Sequence, residues 1–249
     1  MPQQLKNSPK EIYKRRLHYK RNYNEIEKSF DILLNYLLHS IKINNQDEIK
    51  TNTRLLLFLL GAYAETFLLS FINDTGLGQK PYFSNKEIED ILALGTQEQK
   101  WEQTIKFSME IKLLKKYHAL SRTDSIIFDD LVKTFNSHIS PTIRLRNKMA
   151  HGQFVHIIDG ESGLEQSLNK ENYLSLKHKK KILKQLINCL TSVISSENTI
   201  ADDYNSFYKK IESILIELEN DNFEEWKTLQ QSKFQEGLIR KKQNELKKL

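Results

Sequence analysis

The chain has 249 residues, 39% of them hydrophobic, which is enough apolar material for one large domain or for a domain with extensions at its ends. Only 8 glycines and 4 prolines are present, which favours long helices over many short strands, and the single cysteine excludes an intrachain disulfide and a cysteine-based zinc cluster. The net charge of +6 is compatible with a polyanionic partner but does not require one, because a lysine-rich composition alone produces such an excess.

The first predicted element is one long helix, or two, over residues 8–43, followed by a break at 44–47. Its second half has apolar residues at helical spacing, whereas its first half is basic with interleaved tyrosines. These basic and aromatic residues are Lys10, Tyr13, Lys14, Arg15, Arg16, Tyr19, Lys20, Arg21 and Tyr23. A solvated helix face is the simpler interpretation, and stacking of the tyrosines on nucleic-acid bases is the alternative. The polar start does not resemble a signal peptide, so we expect a cytoplasmic protein.

Residues 48–73 are predicted to form a helix that is apolar around most of its circumference. Its length would allow a membrane span, but Glu65 is costly inside one, so a buried core helix is preferred. A carboxylate in an apolar helix needs a partner. One interpretation is that Glu65 pairs with Arg146 or Arg144 and so organises a site, and the alternative is a purely structural pairing with Arg54 or another basic residue.

Further helices are predicted along the rest of the chain. Ser84 and Glu87 form a predicted capping box for a short helix that ends at Leu94. Longer helices are predicted at 96–120, 125–137, 170–196 and 199–219. The sequence therefore predicts an all-α protein in three parts: a basic and amphipathic N-terminal helical extension (1–47), a helical domain (48–220) and a charged helical tail (221–249).

The segment from 140 to 152 holds the densest group of side chains suited to catalysis. Ser140 fits the N-cap of a helix, Pro141 fits the first helical position, and Gly152 fits the position just past a helix end. These signals predict a helix of about three turns that ends at His151.

The end of this predicted helix suits phosphodiester chemistry. Asn147 lies four residues before His151, so the two share a helix face and the amide can orient the imidazole. Arg146 adds a permanent cation, and Arg144 adds a second one nearby. Arg146 and His151 nevertheless lie about 140° apart around an unbroken helix. They meet at one phosphate only if the helix ends or distorts at Ala150, or if a second subunit contributes.

The run Arg146-Asn147-Lys148-Met149-Ala150-His151-Gly152 resembles the signature of the HEPN superfamily, in which an arginine and a polar residue precede a histidine by four to six residues. This superfamily is common in bacterial toxins and antiviral-defence proteins. The resemblance implies a helical bundle, usually dimeric, that acts as an endoribonuclease without a metal or a cofactor. In such enzymes the ribose 2′-hydroxyl attacks its own phosphate and leaves a 2′,3′-cyclic end.

The resemblance also implies a role for each residue of the motif. His151 would serve as acid or base or would position the phosphate, Arg146 would stabilise the charge of the transition state, and Asn147 would hold His151. Glu65 and Arg144 would support them. We expect the RNA to be bound by lysines on the motif helix and in a later basic run. These are Lys148, Lys179, Lys180 and Lys181.

The expected partners are RNA, a second copy of the chain that completes the site, and an antitoxin or defence-system protein, with no membrane. HEPN toxins that are paired with nucleotidyltransferase antitoxins often have a tyrosine two residues after the histidine. Here that position is Gln153, so control through modification of such a tyrosine is not expected.

A different class of function competes with this prediction. In it the chain is a non-catalytic, HEPN-like helical module that binds RNA or a protein partner. Arg146 and Asn147 would then be interface anchors, and His151 would be a satisfied core histidine.

Overall fold

A computed structural model describes residues 9–74, 82–113, 121–151, 171–195 and 198–247. Within these ranges the chain forms nine α-helices and no strand, so the predicted all-α class is confirmed. The helices are α1 (Pro9–Lys42), α2 (Gln46–Ile72), α3 (Asn85–Leu92), α4 (Gln97–Leu113), α5 (Arg122–His138), α6 (Ser140–Ala150), α7 (Tyr173–Ser195), α8 (Ile200–Asn220) and α9 (Phe223–Leu246). Gly152 and Gln153 lie outside the described residues.

Several helix ends follow from local sequence signals. The predicted capping box at the start of α3 is confirmed: the Glu87 N–H donates to Ser84 Oγ (3.3 Å), and the Ser84 N–H donates to Glu87 Oε2 (2.7 Å). The break between α1 and α2 contains Asn44 in the left-handed region (φ 56°), which asparagine tolerates better than most residues. The side chain of Asn45 then caps α2 by accepting a hydrogen bond from the Glu48 N–H (3.2 Å).

Helix α2 is the centre of the core. Tyr63 and Phe67 face α1, where the ring of Tyr23 stacks on that of Tyr63 at 5.0 Å and lies 5.8 Å from that of Phe67. The same Phe67 ring also stacks on Trp101 of α4, and Trp101 stacks in turn on Phe135 of α5. By length and composition α2 could cross a membrane, but about half of its apolar stretch is buried inside this helical bundle. Helix α2 is therefore packed as expected of a core helix.

The N-terminal helix contributes to the same core. Phe30, Leu37 and Ile41 of α1 are fully buried and belong to one hydrophobic cluster with residues of α2 and α7. The C-terminal helix α9 packs against α1, and Gln231 donates from Nε2 to the backbone oxygen of Ile41 (2.9 Å). The division of the chain at 47 and 220 stays a prediction, since both terminal helices contact the central bundle.

Candidate functional site

Helix α6 carries the predicted motif and has the three-turn length expected. It ends at Ala150, and His151 is its C-cap, with φ −91° and ψ 23°. The His151 N–H bonds to the backbone oxygens of Asn147 (3.1 Å) and Lys148 (3.2 Å), which closes the last turn. The motif is therefore helical through Ala150, and no distortion separates Arg146 from the helix end.

The predicted N-cap role of Ser140 is wrong. Helix α5 runs almost directly into α6 through Ile139, which has α-helical dihedral angles and is the N-cap residue of α6. Ser140 is therefore already helical and buried, and its Oγ donates to Glu98 Oε1 at 2.9 Å. Pro141 still lies in the first turn, as predicted, where its missing N–H costs nothing.

A glycine of α2 permits the close approach of α6. A Cβ atom added at Gly61 would lie 2.7 Å from Cβ of Arg146 and 3.5 Å from the backbone oxygen of Thr142. Real Cβ atoms do not approach carbon atoms this closely, so any larger residue would push the two helices apart. Gly61 is not among the residues predicted from the sequence to position the site. The available signal was an isolated glycine within a strongly apolar helix, which often marks a close packing contact.

Arg146 makes a two-point ion pair with Glu65 across this contact. Its Nη2 lies 2.8 Å from Glu65 Oε2, and its Nη1 donates to Glu65 Oε1 at 3.2 Å. The Arg146 side chain is 26% exposed, so water reaches only part of the guanidinium. Its Cζ lies 5.4 Å from the centre of the Phe58 ring, which adds a cation–π contact. Of the partners considered for Glu65, the structure selects Arg146.

Burial raises the pKa of Glu65, and the charges of Arg146 and Lys100 oppose that rise. The carboxylate therefore relies on these two cations to remain ionised. Arg144 takes no part in this pair, because its Nε bonds to Glu98 Oε1 at 2.8 Å. Burial would raise the pKa of Glu98 as well, but hydrogen bonds from Arg144 and Ser140 outweigh that effect and lower it.

Asn147 has a different partner from the one predicted. Its Oδ1 accepts a hydrogen bond from Nη1 of Arg146 at 2.9 Å, so the amide oxygen holds the arginine and not the imidazole of His151. The predicted Asn147–His151 contact was inferred from helical spacing alone. Spacing places two residues on one face, but it does not fix which neighbour a short side chain contacts.

The hydrogen bonds of Arg146 leave little of its guanidinium free. A guanidinium has five N–H groups. Nη1 donates once to Glu65 and once to Asn147, Nη2 contacts Glu65 Oε2 in the ion pair, and the Nε–H is buried without a partner among the described residues. One N–H of Nη2 therefore remains for a ligand. Arg146 is anchored firmly in place, and a phosphate can contact it through that group or by displacing one of the present partners.

His151 is exposed, and its side chain makes no hydrogen bond to any other residue within the described ranges. Arg146 points towards α2, whereas His151 directly follows the last residue of α6, at a position about 140° further around the axis. The end of α6 at Ala150 meets one of the two conditions under which the side chains could act on one phosphate. Contribution by a second subunit, the other condition, stays a prediction.

The three lysines of the later basic run each have a carboxylate partner. The pairs are Lys179 with Glu171, Lys180 with Asp31 (2.6 Å) and Lys181 with Glu217 (3.1 Å). RNA contacts by these residues would have to compete with the ion pairs. Lys148 lies on α6 directly after Asn147 and is partly buried. In the described part of the chain, no group of three or more His, Cys, Asp or Glu residues is arranged to hold a metal ion.

Comparisons of the chain with protein-family models, with curated proteins and with solved structures give no match. The function is therefore inferred from the residues of α2 and α6 themselves.

Proposed function

We propose that the chain is a HEPN-type endoribonuclease that needs no metal, with Arg146 and His151 acting on the scissile phosphate. The observation that carries the proposal is the anchoring of Arg146 by Glu65 and Asn147, next to a helix end that exposes His151. A cation that is already held in place loses little freedom when it binds a phosphate, which is the condition for stabilising a transition state.

The reaction is an internal transfer at phosphorus. The 2′-hydroxyl oxygen bonds to phosphorus, its proton passes to a base, and the bond from phosphorus to the 5′ oxygen breaks. The leaving oxygen takes a proton from an acid, which leaves a 2′,3′-cyclic phosphate and a 5′-hydroxyl. His151 serves as the base or the acid, and a second subunit contributes the opposite partner or the arginine. Arg146 stabilises the negative charge on the phosphorane-like transition state.

The proposed setting is the cytoplasm, where the enzyme acts as a toxin or an antiphage effector on cellular or invading RNA. An antitoxin or a defence-system partner restrains it. Expression of the wild-type chain then inhibits growth, and His151→Ala relieves the inhibition.

The test is cleavage of total RNA by purified protein in the presence of EDTA, with mapping of the new RNA ends. We expect cyclic-phosphate ends from the wild type and at least about a 100-fold loss of rate for His151→Ala. Arg146→Ala leaves Glu65 without its main partner, so the double variant Glu65→Gln, Arg146→Gln is tested beside it to separate loss of charge from loss of folding. His18→Ala and Arg122→Ala alter exposed residues on α1 and α5 and serve as matched controls. Wild-type rates in both Arg146 and His151 variants would refute the site.

The second candidate is the non-catalytic helical module. The engagement of most of the Arg146 guanidinium by Glu65 and Asn147 favours it, because interface anchors are held in this way. Under this alternative the wild type binds RNA with an affinity that falls as salt rises, and it produces no cyclic ends. The same RNA sample therefore distinguishes the two functions.

A further inference from the structure

The last part of α9 is an exposed, basic extension of an anchored helix. The first half of α9 is held to the bundle, because Trp226 stacks on a tyrosine of α7 at 4.8 Å and Gln231 Nε2 donates to the backbone oxygen of Ile41 at 2.9 Å. Every residue from 235 to 247 is exposed, although α9 continues through this stretch. We call residues 235–247 the C-terminal arm.

Positive charge is concentrated towards the end of this arm. Residues 240–248 contain five basic residues and one acidic residue, Glu245, so this short stretch accounts for four of the six net positive charges of the chain. A lysine-rich composition spread evenly along the sequence would not produce such a concentration. The local charge therefore indicates a polyanionic partner, which the net charge of the whole chain does not.

A groove with basic edges lies at the base of the arm, between α9 and the end of α1. Its volume is about 390 Å³. The lining residues are Lys42, Gln230, Lys233, Phe234, Gly237 and Leu238. Two cations and an aromatic ring thus border the groove, and no carboxylate is among its lining residues. A groove of this composition suits a phosphate group and not a cationic ligand.

The cations of the arm extend from this groove along one side of α9. At about 100° per residue, Lys233, Arg240, Lys241 and Lys247 fall within about 120° around the helix, with Gly237 of the groove among them. The helical rise spreads these four cations over about 21 Å. They therefore form a strip that can follow a linear polyanion.

This basic side of the arm is open to solvent. The apolar residues Leu238, Ile239 and Leu246 lie on another side, the one on which Gln231 bonds to α1. The apolar side is thus directed towards the chain itself, and the cations are left accessible. We define the basic track as the four cations of the strip together with the groove lysine of α1. Its members are Lys42, Lys233, Arg240, Lys241 and Lys247.

The basic track is hardly neutralised by the protein. Within the described part of the chain its four lysines form no ion pair. Arg240 has one pair, with Nη2 3.7 Å from Glu236 Oε2, and both side chains are more than half exposed, so this pair is weak. The lysines of α7 differ, because Lys180, Lys181 and Lys184 each lie within 3.1 Å of a carboxylate oxygen. A polyanion can therefore contact the track without displacing strong ion pairs.

The track fits RNA better than it fits an anionic membrane. A helix that lies on a membrane inserts apolar side chains into the lipid. The basic side of the arm contains only Gly237, Arg240, Lys241, Asn244 and Lys247, so it has no apolar side chain to insert. Phosphate groups of a nucleic-acid backbone need cations alone.

We propose that the basic track binds the phosphate backbone of an RNA strand. Part of the strand lies in the groove between Lys42 and Lys233, and the following phosphates contact the cations of the arm. Since these contacts are with phosphates, binding does not depend on the base sequence. The choice of RNA as the polyanion rests on the proposed function, whereas the unpaired cations and the groove do not.

The test is fluorescence anisotropy of a labelled 2′-O-methyl RNA of about 20 nucleotides, longer than a typical single binding site, titrated with the full chain at several salt concentrations. The methyl group removes the 2′-hydroxyl nucleophile, so binding is measured without cleavage. We expect the track variant, Lys233→Gln, Arg240→Gln, Lys241→Gln, to bind at least about 10-fold more weakly than the wild type. The slope of log affinity against log salt should become less steep by about 2.

Two further variants separate the track from a general effect of charge. Lys86→Gln, Arg122→Gln, Lys133→Gln removes the same charge from exposed positions on α3 and α5 and should bind within about 2-fold of the wild type. The charge-preserving variant Lys233→Arg, Arg240→Lys, Lys241→Arg should bind as the wild type, because both cations contact phosphates.

All substituted side chains are exposed, and circular dichroism verifies that each variant keeps its helix content. A track variant with wild-type affinity would overturn the proposal, and so would equal losses in the track variant and in the variant of α3 and α5. Vesicles of anionic phospholipid test the other polyanion. A wild type that binds these vesicles through the track and does not bind the RNA would assign the track to a membrane surface and overturn the proposal.

Cleavage assays with unmodified RNA keep this inference separable from the proposed function. The track variant should raise KM and keep kcat, because it removes binding and not chemistry. His151→Ala should bind the 2′-O-methyl RNA as the wild type does. Binding through the track by a wild type that cleaves no RNA would refute the enzyme and support the track. Cleavage with an unchanged KM in the track variant would refute the track and support the enzyme.

Discussion

Arg146 and Glu65 illustrate how a single pair of residues can explain two features of the sequence. A carboxylate inside an apolar helix is costly unless it has a cationic partner, and a largely buried guanidinium has the same requirement. Placing the two together meets both requirements, with contacts of 2.8 and 3.2 Å. The arrangement works only because Gly61 lets the two helices approach closely enough. Removing any one of the three residues should therefore disturb the other two.

Substitution of Gly61 tests this close approach. Gly61→Ala places a Cβ 2.7 Å from Cβ of Arg146, so we expect it to lower the free energy of unfolding by about 1–3 kcal/mol. Gly237→Ala is the matched control, because it also changes a helical glycine but its new Cβ meets nothing within 4 Å. That variant should be neutral or stabilising by up to about 1 kcal/mol. Urea unfolding measures both, and equal effects of the two variants would contradict the close-contact argument.

At the scale of whole helices, His178 lies where α7, α8 and α9 meet. Its Nε2 is 3.3 Å from Glu217 Oε2, and its Nδ1 is 3.3 Å from Oδ2 of Asp221, the residue that ends α8. Trp226 of α9 stacks on Tyr173 of α7 at 4.8 Å, which closes the same junction. Burial lowers the pKa of His178 and Lys181 adds to that effect, while Asp221 and Glu217 oppose it. The junction therefore favours the neutral imidazole.

This pKa shift predicts a pH-dependent stability. The folded state binds the His178 proton less tightly than the unfolded chain does. The contribution of His178 to the free energy of unfolding is therefore complete above the ordinary histidine pKa of about 6.5, and it is lost as the pH falls towards the lowered pKa of the folded state. We expect the free energy of unfolding to fall less steeply between about pH 7.5 and pH 5 in His178→Asn than in the wild type. Urea unfolding across this range measures both slopes. His18→Asn, at an exposed position on α1, should keep the wild-type slope. Parallel slopes for wild type and His178→Asn would rule the histidine out as the source.

At the scale of the molecule, the bundle is organised around α2. Its buried face joins α1, α4 and α7 in one hydrophobic cluster, and its opposite side receives α6. Residues 235–247, the last part of α9, lie outside that cluster and are all exposed. The described part of the chain therefore combines a continuous core with a helical segment whose backbone hydrogen bonds face water.

Hydrogen exchange should separate these two parts. Amides of α2 are expected to exchange only through global unfolding, since its residues are packed on several sides, whereas those of residues 235–247 open locally. Mass spectrometry of peptides covering 56–68 and 235–247 measures the difference in dilute protein. Equal protection of the two peptides would show that residues 235–247 belong to the core.

The local features of the molecule could be predicted from the sequence, whereas the contacts between residues far apart along the chain could not. The helical class, the cap at Ser84 and the length of α6 follow from neighbouring residues. The need of Glu65 for a cation was also evident, because it follows from the composition of one helix. Which cation it binds was not evident, since Arg146 is 81 residues away along the chain. The role of Gly61 was not predicted for the same reason, because it depends on contact with α6, which is distant along the chain.

The sequence by itself determined that this protein is helical, where most of its helices begin, and that a cationic and imidazole-bearing helix lies at 140–151. These properties depend on spacing and caps within a few turns, where the interacting groups are close along the chain. Only the tertiary structure decided that Glu65 holds Arg146, that Ser140 bonds to Glu98, and that His151 is left exposed. The physical reason is that short side chains reach whichever partner the packing of helices brings within about 3 Å, and that packing is a property of the whole chain.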